Sequence, residues 1–199
     1  MAPARPWPLV QGELDGLCGL YSIINSLIWG LYSLQISGHR PRHQCSPLSE
    51  RETEQLFLSL LTRLTRKHGV RPFVHGMSSL ELARLLRHAG ARLRAHRGLE
   101  LTVIRPFYQR PRATVRQVCR VLANHLVNPG SATIIGLEWP MRHWTVVSGV
   151  TPTRLYLLDS SDGPPHSSLR RQPRTSDKQR RLLRPGEVFL LSLCAESSG

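Results

Sequence analysis

The sequence predicts an α+β fold, with helices in the first part of the chain and an antiparallel sheet in the last. Three observations carry this reading. Between residues 17 and 126 the apolar residues recur mainly at helical spacing. After residue 131 they gather instead in short, β-branched runs separated by turn signals. Residues 17–37 carry no formal charge, which marks a helix buried on most of its sides. Helices followed by strands are the order expected when helices pack on an antiparallel sheet. The chain has 199 residues, 40% of them hydrophobic, enough for one domain with a full core. That single domain divides into an extended N-terminus (1–8), a mainly helical part (9–130) and a mainly β part (131–199).

Residues 1–8 are rich in proline and read as extended, and residues 9–15 lead into the first helix. The central helix covers 18–34, with Leu20, Ile24, Leu27, Ile28 and Leu31 at helical spacing. Ser22, Asn25, Ser26, Ser33 and Gln35, with Gly19 and Gly30, interrupt its apolar character, so it reads as a core helix rather than a membrane span. A loop at 37–47 follows. Ser49 and Glu52 form a capping box that opens a helix over 50–67, with Leu56, Leu60, Leu61 and Leu64 on one face and His68-Gly69 as its end. Ser78 or Ser79 caps a helix near 80–88, with Gly90 as its stop signal. Residues 99–104 are a candidate strand. Residues 114–126 form a helix with Val115, Val118, Leu122 and Leu126 inward and Cys119 as a core thiol. Asn128-Pro129-Gly130 is a turn. Strands follow at 132–137, 143–150 and 155–158, the last two joined by Thr151-Pro152-Thr153. A polar, basic loop spans 162–184, and a final strand covers 187–194.

Chemistry enters where these elements begin and end. Asp15-Gly16-Leu17-Cys18-Gly19 places a thiol where the uncharged helix starts. His143-Trp144 opens a strand, and Asp159 follows a hairpin sixteen residues later. The attacking species of thiol chemistry is the thiolate, which a helix N-terminus and a neighbouring imidazolium both stabilise. Gly16 and Gly19 leave the backbone open for a carbonyl, and the Cys18 amide can donate to its oxygen. His143 is the base, since among the nine histidines it alone starts a strand that leads through a hairpin to an acid. Asp159 orients that base, with Asp162 in reserve. Gln11 is a candidate second donor to an oxyanion, and Asp15 a candidate for fixing the loop.

The order Cys18, His143, Asp159 resembles that of the papain-like cysteine peptidases. Gln11 before Cys18-Gly19, with His143 leading through a hairpin to Asp159, is most similar to the bacteriocin-leader peptidases of bacterial ABC exporters. Asp15-Gly16-Leu17-Cys18 also resembles the Asp-Gly-x-Cys motif of the ovarian-tumour deubiquitinases. The resemblance covers roughly residues 9–36 and 132–163. It implies a papain-like fold and a hydrolase that cleaves a peptide, isopeptide or related amide bond through a thioester. The same machinery serves a deamidase or an acyl transferase of effector or toxin type.

The formal net charge of +14 comes from 27 basic and 13 acidic residues, and only Lys67 and Lys178 are lysines. Such a balance arises from coding bias or from an acidic partner. A protein or peptide substrate, acidic in character, is the favoured partner. Nucleic acid ranks below it, because Arg170, Arg171, Arg174, Arg180 and Arg181 have no aromatic residues interleaved. A non-catalytic basic binding module is the reading from a different class. The cysteines (Cys18, Cys45, Cys119 and Cys194) form no CxxC pair, so neither a structural metal nor a cofactor is expected. His39, His43 and Cys45 do not make a persuasive metal set. The late start of the apolar run, after Asp15, does not fit a cleaved signal. The expected location is the cytoplasm, or outside the cell by a route that needs no such signal.

Overall fold

A computed structural model describes residues 8–10, 17–38, 46–110, 112–138, 142–160, 166–170 and 183–195, without side-chain detail for residues 68 and 166–170. The described helices are α1 (Cys18–Ser37), α2 (Glu50–His68), α3 (Arg71–His75), α4 (Ser79–Arg97) and α5 (Val115–Leu126). The strands are β1 (Leu99–Ile104), β2 (Ser131–Leu137), β3 (His143–Val150), β4 (Arg154–Leu158), β5 (His166–Arg170) and β6 (Leu183–Ala195). They form one sheet in the order β1-β6-β2-β3-β4-β5, antiparallel at every step. This is the α+β order expected from the sequence: a central buried helix starting at the cysteine, then an antiparallel sheet.

The sheet is covered on both faces because successive strand residues point to opposite sides. Ile134, Trp144, Val146, Phe189 and Leu191 pack against the layer of α1, α2 and α4. Ile135, Leu137, Val147, Val188 and Leu190 pack against Val118, Cys119 and Leu122 of α5. Strand β2 is therefore buried along its whole length. Helix α1 lies between sheet and helices, which explains its lack of charge. Its buried Asn25 is satisfied by the Leu9 backbone, accepting from Leu9 N at 2.8 Å and donating to Leu9 O at 3.1 Å. Ser26 donates to the Ile23 carbonyl at 2.6 Å. These bonds remove the cost of polar groups in a core helix. No described helix is long and apolar enough to cross a membrane.

The capping boxes at Ser49/Glu52 and Ser78/Glu81 form as the residue types require, and Thr114/Gln117 makes a third. Several boundaries differ from expectation: α1 runs to Ser37 rather than 34, and the short helix α3 was not expected. Helix α4 does not stop at Gly90 but runs to Arg97 and ends at Gly98, in the left-handed conformation at φ 59°. Gly90 serves close packing: a Cβ there would lie 3.2 Å from Leu101 Cβ on β1. The stretch 162–184 is not loop throughout. Strand β5 pairs with β4 inside it, and β6 begins at Leu183 rather than at 187. Arg184-Pro185-Gly186 falls within β6, which absorbs it in an irregularity between the pairs Leu137↔Leu183 and Ile135↔Val188. Gly136 faces that irregularity, where a Cβ would overlap the Glu187 side chain.

Gly130 ends the turn into β2 with φ 78°, and a Cβ there would overlap the Leu193 carbonyl oxygen. Its own carbonyl accepts from Leu193 N at 3.0 Å. Gly130→Ala should lower stability by about 2 kcal/mol or more, combining left-handed strain with the clash. A urea midpoint within error of the wild type would show that the turn relaxes freely.

Candidate active site

Cys18 is the first residue of α1, and Leu17 before it makes no side-chain cap. Hydrogen bonding in the first turn starts with Leu20 N to Leu17 O at 2.8 Å. The amides of Cys18 and Gly19 precede it, so they lack intrahelical acceptors, and the positive end of the helix lies at the thiol. The thiol itself is buried, at 4% exposure. Helix α1 packs directly on β2 and β3, which brings Cys18 to the start of β3.

His143 is the first residue of β3, and Asp159 directly follows β4. The β3–β4 register pairs Val146 with Leu158. One step further, Asp159 falls opposite Thr145, diagonal to His143, within reach of a long side chain. His143 Nε2 lies 2.5 Å from Asp159 Oδ1. The carboxylate is 2% exposed and the imidazole 21%. The Cys18 side chain lies near enough to the imidazole to favour its charged form. With Nε2 on Asp159, Nδ1 is the nitrogen left for the sulfur. Burial pulls the His143 pKa down, but the bond to Asp159 and the nearby Cys18 side chain outweigh it and raise the value to about 9. The ring is therefore charged at neutral pH, an imidazolium between a carboxylate and a sulfur.

Trp144 adds contacts that the sequence left unassigned. Its backbone N–H points to Cys18 Sγ at 3.4 Å. Its indole N–H donates to the Met77 carbonyl at 2.8 Å, and its ring meets Phe189 edge-on at 5.8 Å. Met77 in turn packs on Gly19, where a Cβ would lie 3.0 Å from its sulfur. The strand that carries the imidazole is thus tied to the helix that carries the thiol. No sequence signal marked Met77. The one for Trp144 was its place after His143, which reads as a shield for the site or, by preference, as packing.

Gln11, Asp15, Gly16 and Asp162 lie outside the described residues, as do His39, His43 and Cys45. So do Arg171, Arg174, Arg180 and Arg181, while Arg170 is described in backbone only. His125 bonds to the Leu191 carbonyl at 2.9 Å and His88 to Ser59 Oγ at 2.8 Å, which are structural uses. Cys119 is fully buried and Cys194 half-buried. Among the described residues no group of three His, Cys, Asp or Glu side chains is arranged to hold a metal ion.

No family model matches the chain, and no curated protein matches it. Among solved structures, the Pseudomonas avirulence protein AvrPphB is similar at 8% identity, with a TM-score of 0.29, over 86% of this chain and 93% of that chain.

Proposed function

We propose that the protein is a thiol hydrolase that cleaves a peptide, isopeptide or related amide bond in a protein or peptide substrate. The observation that carries this reading is the His143 ring, held by Asp159 on Nε2, on a strand whose next amide points to the sulfur of a thiol at a helix N-terminus. An imidazolium beside a sulfur favours the thiolate, the attacking species. The Cys18 thiolate adds to the carbonyl carbon, and the oxygen takes up the negative charge. The Cys18 amide, free of an intrahelical partner, donates to that oxygen. Gln11 is a second donor in this scheme. As the C–N bond breaks, His143 gives its proton to the leaving amine and a thioester remains. Neutral His143 then takes a proton from water, and the hydroxide attacks the thioester. The acid leaves, and the ring's proton returns to the Cys18–His143 pair. Asp159 keeps the ring in one orientation throughout and balances its charge.

The test is mass spectrometry of a protein extract treated with wild type or with Cys18→Ala. New protein N-termini should appear with the wild type and be absent with the variant. Glutamine residues gaining about one mass unit, with no new termini, would replace hydrolysis by deamidation. No difference between the two proteins would leave only the binding-module reading.

A further inference from the structure

A second feature lies on the helical layer. Helices α2 and α4 enclose an open groove of about 780 Å³. Its rim carries Arg63, Arg66 and Lys67 from α2, and Arg84 and Arg87 from α4. Among the described residues no carboxylate pairs with any of these five cations. Glu81 also lines the groove, but its carboxylate is engaged by Ser78, accepting from the backbone N at 2.7 Å and from Oγ at 2.6 Å. The groove's apolar surface comes from Leu64 and Leu85 at its base and from Leu58, which is 52% exposed. His88 shows the same excess of positive charge, its pKa held low by burial and then by Arg63 and Arg92.

From this juxtaposition we infer that the α2–α4 groove docks an acidic, amphipathic segment of a partner polypeptide. Five unpaired cations raise the local concentration of an acidic ligand, and an apolar base rewards a ligand with an apolar face. The concavity excludes a flat bilayer from that base. The lining has no Phe, Tyr or Trp on which bases could stack, and its one ring, His88, is bonded to Ser59, so a nucleic acid would find only half of what it uses. The groove is linked to the thiol site through α4, which starts two residues after Met77, the acceptor of the Trp144 indole. Docking does not require the thiol chemistry, so Cys18→Ala should bind as the wild type does.

The experiment is fluorescence anisotropy of the full chain with a labelled peptide of glutamate and leucine at helical spacing. Binding should weaken about tenfold or more between ~50 and ~300 mM salt, because the attraction is screened. It should fall at least about tenfold in Arg63→Glu/Arg87→Glu, since each reversal adds repulsion as well as removing attraction. An unchanged circular dichroism spectrum checks the fold, and Arg84→Gln/Lys67→Gln replaces the double reversal if that variant does not fold. Absence of peptide binding, or equal binding by the variants, overturns the inference. So does tighter, groove-dependent binding of oligothymidylate or of phosphatidylserine vesicles.

Discussion

Cys18→Ala should eliminate cleavage of any amide or ester substrate, and His143→Ala should lower it by about 10³-fold or more. The two effects should not add. The thiolate and the imidazolium act as one unit, so the double variant should be no slower than the worse single one. Asp159→Asn keeps the shape but loses the charge opposite His143 Nε2, and a loss of on the order of 10²–10⁴-fold is expected. Stability is a separate readout. Cys18 is small, and its removal leaves most of the Leu20–Leu34 face of α1 in place. A melting temperature near wild type with activity gone is the signature of chemistry lost rather than fold lost. Effects of Cys18→Ala and His143→Ala that multiply would show that the residues work independently, contrary to the proposed pair.

Stability should fall relative to a His143→Gln variant as the pH rises from about 6.5 through 9. The sign follows from the raised pKa of His143, about 9 in the folded protein against an ordinary value of 6.5. The folded state holds the proton more tightly than the unfolded chain, so the contribution is fully present below 6.5 and lost through 9. Its size is at most on the order of 3 kcal/mol, from the shift and the free energy per pKa unit. Urea midpoints of both proteins across that range isolate His143 together with the Cys18 and Asp159 side chains coupled to it, because titrations elsewhere are shared. Parallel curves would mean that Asp159 and Cys18 do not hold the imidazolium. The same titration should set the alkaline limb of activity, since a neutral ring cannot protonate the leaving amine.

Much of this architecture was legible locally. The capping boxes at Ser49/Glu52 and Ser78/Glu81 are written in adjacent residues, and their helices start where they should. The uncharged run after Leu17 identified the buried helix, and the change to short β-branched runs identified β2, β3 and β4. Cys18, His143 and Asp159 stood out because each sits at the boundary of an element. Gly90 misled because glycine serves two purposes, and which one applies depends on Leu101, eleven residues away. Strand β5 was missed because His166–Arg170 has no apolar alternation; its pairing with β4 supplies what its side chains do not. The final strand was read from 187, whereas pairing on either side of Pro185-Gly186 carries it back to Leu183.

The sequence by itself determined which residue types stand at the starts of α1 and β3 and after β4, because capping, charge and hydrophobic period act over a few residues. Only the tertiary structure decided that these three positions meet. The thiol and the imidazole are 125 positions apart, and they are joined by the packing of α1 on β2 and β3. Packing also placed the Trp144 amide against the sulfur and the Met77 carbonyl against the indole. It likewise turned scattered arginines of α2 and α4 into the rim of one groove. Such contacts depend on how whole elements dock, and no short stretch of sequence carries that information.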